Sequence, residues 1–206
     1  NADTTSVRMV WSDIERGFYV FLTPLAGGAT TNYFYDVRNQ SWWPDKFATA
    51  AHNPVSVHLF DGDTAADRTV LLGGQDGYVR KFDYTTYGKS DDSVAIDSFV
   101  FLGPIQLKNR PKIMLTDMKA AMASGSSNVD FTVYAAETAE LAEGATSAVT
   151  KFTGEWSAGR NKAERRRASG HDIYIKIRND DAAEGWAYEF LGVEVNSFDG
   201  PRARQW

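Results

Sequence analysis

Residues 171–179, His-Asp-Ile-Tyr-Ile-Lys-Ile-Arg-Asn, set the tightest limit on what this chain can fold into. Ile173, Ile175 and Ile177 alternate with Tyr174, Lys176 and Arg178, a period of two that suits a β-strand and not an α-helix. Shorter runs of the same kind, cut by Gly, Asp, Asn and Pro, recur through the first half of the sequence. They predict strands over 7–11, 18–23, 32–38, 55–60, 69–74, 78–83 and 94–103. Pro44 after Trp42-Trp43 marks an edge or a strand end, because proline cannot donate to a ladder. Asp76-Gly77 accepts the positive φ angles of a hairpin turn. Longer strands are predicted over 112–122, 129–137, 148–156, 171–179 and 186–198. In the last, Tyr188 and Phe190 share one face and Leu191, Val193 and Val195 the other; this change of apolar side beside Gly192 reads as a β-bulge. Only 138–144, rich in helix formers, predicts a turn or two of helix. Trp156 and Trp186 flank the C-terminal strands and are expected to be largely buried.

The fold class expected is all-β, with a join near Gly103-Pro104. Residues 1–103 contain two similar segments, "RGFYVFLTP…NYFYDVRNQSWW" and "DRTVLLGGQDGYVRKFDYTTYG". Each has a hydrophobic strand, a turn, and an aromatic-bearing strand that ends near Asp36 or Asp83. A strand repeat of about 40–50 residues suggests propeller blades, and two blades cannot close a ring of typically 4–8. Three outcomes remain open: the blades belong to a longer polypeptide, they complete a ring with other chains, or they form an open sheet pair. Residues 104–206 hold five longer strands, enough for a β-sandwich. The chain begins Asn1-Ala2-Asp3 without an initiator Met, and a processed or truncated part of a longer product is expected.

Composition narrows the function classes. Aromatic residues at 13% and 17 glycines favour sheets and tight turns. A formal net charge of −5 argues against a dedicated nucleic-acid binder. With no cysteine, disulfides, zinc–thiolate sites and thiol chemistry are excluded. The longest apolar runs, "FYVFL" and "FVFLG", fall far short of the roughly 20 residues of a membrane-spanning helix, so no membrane partner is expected.

Catalytic patterns are missing: the sequence has no P-loop, dinucleotide fingerprint, HExxH or Gly-x-Ser-x-Gly elbow. His52, His58 and His171 have no metal-ligand spacing. Asp61, Asp63 and Asp67 share a loop but lack the rest of a calcium-binding pattern, and an exposed acidic turn is the better reading. No enzyme activity, metal or cofactor is expected. Two groups remain. Trp42 and Trp43, with Tyr33, Tyr35 and Trp11, form either a sugar-stacking platform or the filling of a sheet packing or interface. Residues 159–180 concentrate seven Lys/Arg in an acidic chain, Arg160, Arg165, Arg166 and Arg167 among them. As a strand, 165–178 would place Arg165 and Arg167 on one face and Arg166 on the other. That cluster is a solvated strand face, a subunit interface on a neighbour's acidic loops such as 61–67, or a DNA phosphate contact.

One resemblance adds to this. "GEWSAGRN…RRRASGHDIYIKIRND…GWAYEFLGVEVNSFDGPRAR" is similar to the closing segment of tail and head–tail structural proteins of tailed bacteriophages, through Trp156, Gly159-Arg160, Arg165, Arg167, Gly170, the 173–177 alternation, Trp186, Gly200 and Arg202. "YFYDVRNQSWWP" and "LLGGQDGYVRKFD" likewise resemble the β-propeller part of phage tail nozzle (tail tubular) proteins. The resemblance implies a non-enzymatic virion subunit of the tail nozzle or head–tail connection. It implies a homo-oligomeric ring around the DNA exit path, touching other tail proteins and transiently the genomic DNA. Nozzle proteins are far longer than this chain. The alternative from a different class is a carbohydrate-binding β module, with Trp42-Trp43 as its site.

Overall fold

The computed structural model describes residues 4–28, 30–64, 67–82, 90–109 and 111–197. Asp83, Gly200, Arg202 and part of the 61–67 acidic loop lie outside the described residues. The fold is all-β, with one short α-helix among the described residues. The chain divides into two compact units, 1–96 and 97–206. This boundary falls a few residues ahead of the Gly103-Pro104 join expected from sequence, because the strand carrying that dipeptide belongs to the second unit.

The first unit opens with an antiparallel meander of β1 (Thr5–Ser12), β2 (Gly17–Pro24), β3 (Asn32–Asp36) and β4 (Ser41–Asp45). A second meander joins β5 (Pro54–Phe60), β6 (Thr69–Gly74) and β7 (Val79–Phe82), followed by the hairpin β8 (Ser90–Asp91) and β9 (Val94–Ala95). The first meander has four strands and the second three, and among the described residues they close no propeller. In β2 the buried positions alternate strictly, Gly17, Tyr19, Phe21 and Thr23. Tyr19, Phe21 and Val10 meet Val70 and Leu72 of β6, and Phe34, Phe47, Val57, Leu59 and Phe82 pack around them. A polar seam crosses this core without leaving its groups unpaired. Asn32 Oδ1 accepts from the N–H of Leu22 at 3.0 Å, its Nδ2 donates to Asn53 Oδ1 at 3.2 Å, and Thr23 Oγ1 donates to the Pro54 carbonyl at 2.7 Å.

The second unit is a β-sandwich. One sheet has the order β10 (Ser98–Ile105), β16 (Asp172–Asn179), β12 (Val129–Ala136), β13 (Thr150–Trp156). The other is built on β11 (Ile113–Met122), flanked on one side by β17 (Tyr188–Ser197) and on the other by β14 (Gly159–Arg160) and β15 (Ala168–Gly170). Ile113, Leu115, Met118, Ala120 and Met122 of β11 face Ile173, Ile175 and Ile177 of β16 and Phe131 and Val133 of β12 in one core. Tyr174, between the isoleucines, is buried as well, because helix α1 (Ala139–Glu143) covers that side: Ala142, Tyr134 and Phe101 pack against it. Thr138 caps α1 by accepting from the N–H of Leu141.

Two readings of the tail of the sequence change. The bulge in β17 lies at Glu189, between the Ala121–Phe190 and Met122–Tyr188 pairs, whereas Gly192 pairs regularly with Lys119. Leu191, Val193 and Val195 lie opposite the core residues Ala120, Met118 and Leu115, so no phase change occurs at Gly192. The bulge instead puts Tyr188 opposite buried Met122 and Phe190 opposite Ala121, and the two do not share a face. Trp156 is fully buried, its ring stacked at 4.3 Å on Phe131. Trp186 is only partly buried at the margin of the core, where its Nε1 donates to Ser98 Oγ at 2.8 Å.

The chain passes from β15 in one sheet to β16 in the other at Gly170-His171. There the N–H of His171 donates to the Ala136 carbonyl at 2.8 Å, and a Cβ on Gly170 would stand 2.7 Å from that oxygen. Gly170→Ala is therefore expected to cost about 1–3 kcal/mol, read from the urea midpoint. Trp156→Ala is expected to cost about 3–5 kcal/mol, and Trp186→Ala distinctly less.

Candidate functional site

Strand β4 decides where the two tryptophans go. Trp42 pairs with Tyr35, and Trp43 with Phe34. Successive residues point to opposite faces, so the expected single platform is split. Trp42 joins Tyr35 (ring centroids 4.8 Å apart) and Tyr33 (6.3 Å) on the outer face of the first meander. That face continues across the ladder through Val20, Met9 and Trp11, which packs edge-on against Phe18 at 4.8 Å. Met9, Trp42 and Val7 are each more than half exposed (64%, 59% and 55%). Trp43 turns to the other side, where it borders a cleft.

The cleft has a volume of about 760 Å³ and lies within the first unit. Its aromatic wall is Tyr19, Phe34, Trp43, Phe47 and Phe82; its polar side chains include Asp45, Lys46, His52, Arg80, Asp91 and Asp92. Most of these polar groups are held in place. Arg80 forms a fork with Asp76, Nη1 to Oδ1 at 2.9 Å and Nη2 to Oδ2 at 2.8 Å, and Nη2 also reaches Asp92 Oδ2 at 3.2 Å. The fork holds the Asp76 carboxyl down to about 2, with burial opposing it. The buried His52 Nδ1 lies 2.8 Å from Asp91 Oδ1, and the N–H of Ala48 donates to Asp91 Oδ2 at 2.9 Å. Asp91 and Asp92 sit on the tight β8–β9 hairpin, whose turn residues Asp92 and Ser93 both adopt positive φ (51° and 70°), a conformation that side chains other than glycine adopt at a cost.

Asp45 differs from these. Burial pushes its carboxyl above the usual carboxylate range. The N–H of Lys46, donating at 2.8 Å, opposes that rise, and the charges of Glu15 and Asp91 add to it. Glu15 is itself engaged as acceptor for the Tyr19 hydroxyl.

The arginines lie in the second unit, at one edge of the β11 sheet. Arg160 is in β14, opposite Ala121. Arg165, Arg166 and Arg167 are not in a strand: they occupy the irregular segment between an isolated bridge at Glu164–Met118 and the start of β15. From Glu164 to Ala168 the edge segment spans one residue more than β11 does from Met118 to Leu115, so the ladder is bulged there and strict alternation fails. Arg166 is committed to its own unit: Nη1 donates to the Thr153 carbonyl at 3.0 Å, Nε lies 3.5 Å from Glu164, and the guanidinium sits 5.7 Å above the Phe152 ring. Arg160, Arg165 and Arg167 are exposed. Of the acidic loop, Asp67 accepts from Thr64 Oγ1 at 2.8 Å, and among the described residues no group of three His, Cys, Asp or Glu is arranged to hold a metal.

The sequence reading found Trp43 and missed Asp45, His52, Arg80, Asp91 and Asp92 as its neighbours. Asp45 was reachable, because it lies two residues beyond Trp43 on the same strand face. The others come from separate loops and a second meander, and no spacing in the sequence joins them.

The folded pKa of Asp45 is raised above its unfolded value, so its contribution to stability is full below the unfolded pKa and lost as pH rises through the folded one. Asp45→Asn is therefore expected to raise the thermal midpoint at pH 7, with the gain shrinking toward about pH 4; the comparison is two melting curves per protein. Compared with protein-family models and with curated proteins, the sequence gives no match in either case.

Proposed function

We propose that this protein is a non-enzymatic structural subunit of a bacteriophage virion, part of the tail nozzle or head–tail connection around the DNA exit path. The observation that carries the reading is the outer face of the first meander. Val7, Met9, Trp11, Phe18, Val20, Tyr33, Tyr35 and Trp42 cover one side of a four-stranded sheet with apolar and aromatic groups. A sheet face of this composition serves a packing partner, since large exposed apolar patches mark interaction surfaces. The occupant that fits is the β-sheet of a second copy: the first meander has the four antiparallel strands of a blade and the second three, and a pair of this kind leaves a ring to be completed by further copies. The resemblance of residues 156–202 to tail proteins supports the same reading. Exposed Arg160, Arg165 and Arg167 at the edge of the second unit supply cations for a neighbour's carboxylates or for the phosphates of passing DNA.

Sedimentation velocity tests this directly. The parent is expected to sediment as a defined ring. Met9→Glu combined with Trp42→Ser, both at exposed positions, is expected to return it to the monomer with an unchanged circular dichroism spectrum. A parent that stays monomeric over the whole accessible concentration range rules the assembly reading out.

A further inference from the structure

The cleft beside Trp43 has no part in the assembly reading, because it opens on the opposite side of the sheet from the apolar face. The geometry points to a binding site for a neutral oligosaccharide in this cleft, with Trp43 as the stacking surface and Asp45, Arg80, Asp91 and Asp92 as the hydroxyl-binding groups.

Three observations carry this. The first is the indole itself. Trp43 is 56% exposed although it borders a cavity of about 760 Å³, within the size range of ligand pockets. Its Nε1 donates to Ser41 Oγ at 3.0 Å, which fixes the ring plane and leaves its apolar face for a ligand. The second is charge. Asp45, Asp91 and Asp92 line the cavity together with Lys46 and Arg80, whereas Lys81, paired with Leu71, points to the opposite face of its sheet from Arg80 and Phe82. Such a lining mixes carboxylates with cations, the Arg80 guanidinium already paired with Asp76 and Asp92, and is dense in donors and acceptors. A pyranose matches it, with one C–H face for the indole and a rim of hydroxyls that donate to carboxylates and accept from a guanidinium. The third is rigidity. Arg80 is fixed by Asp76 and Asp92, and Asp91 by His52 and the N–H of Ala48, so these groups lose little freedom when a ligand arrives.

The test uses the full chain and five probes: the neutral maltotetraose, cellotetraose and N-acetylchitotetraose, the cationic chitosan tetramer, and the anionic tetragalacturonate. Binding is read by saturation-transfer NMR and by tryptophan emission. At least one neutral probe is expected to bind saturably with Kd below ~10 mM, and more tightly than either charged probe. Trp43→Ala is expected to weaken it ~10-fold or more, and Trp42→Ala, on the opposite face, to leave it unchanged. Asp45→Asn, a near-isosteric change, is expected to weaken it several-fold, which keeps the test independent of how well Trp43→Ala folds. Saturable binding by none of the neutral probes overturns the proposal. So does tighter binding of a charged probe, or equal loss in the Trp42 and Trp43 variants. Sedimentation of the same samples reports separately on assembly, so either reading can fail alone.

Discussion

Both surfaces of interest in the first unit depend on the pleat of the β3–β4 ladder. Phe34 opposes Trp43 and Tyr35 opposes Trp42, and since side chains alternate, the two adjacent tryptophans are sent to opposite sides of one sheet. A slip of one residue would exchange them: Trp42 would enter the cleft, and Trp43 would join Tyr33 and Tyr35 outside. The register is held from within by the buried alternation of β2, where Tyr19 and Phe21 have places in the core that Phe18 and Val20 cannot take. It is held again by Asn32, buried at the start of β3, whose side chain bonds both the β2 backbone and Asn53.

The cleft's polar wall has a different origin. The β8–β9 hairpin contributes little to the apolar core of the first unit, and it is positioned largely by charge: His52 and the N–H of Ala48 on Asp91, and Arg80 on Asp92. Partly buried charge-assisted bonds of this kind are stronger than neutral ones. An element held by few apolar contacts also opens more readily than the sheets beneath it. Asp45 lines the same cleft with its charge partly desolvated and, among the described residues, no cation forked onto it; perturbed groups of this kind cluster at functional sites.

The second unit is organised by one strand. β16 is buried on both sides, by the β11 sheet through its isoleucines and by α1 through Tyr174. It is reached by a crossing between sheets at Gly170, where two backbones approach too closely for a side chain. The segment that leads to this crossing runs along the edge of β11, and its bulge displays Arg165 and Arg167. Charged residues and bulges at an edge prevent indiscriminate strand addition, so the basic cluster makes structural sense at that position whatever it also contacts.

Alternation and turn residues determined the strands, the all-β class and the helix at 138–144, because these follow from contacts between near neighbours along the chain. The isoleucine stripe of β16 was legible for the same reason: a period of two identifies a buried face before its partner is known. The split of Trp42 from Trp43 was implied by that period as well. Which side would be a cleft and which an open face was decided by the packing of the second meander. The bulge at Arg165–Arg167, the commitment of Arg166 to Thr153 and Phe152, and the meeting of Asp45, His52, Arg80 and Asp91 are likewise tertiary. They depend on pairings between segments far apart in sequence, and side-chain chemistry along the chain carries no record of which distant backbone will lie beside it.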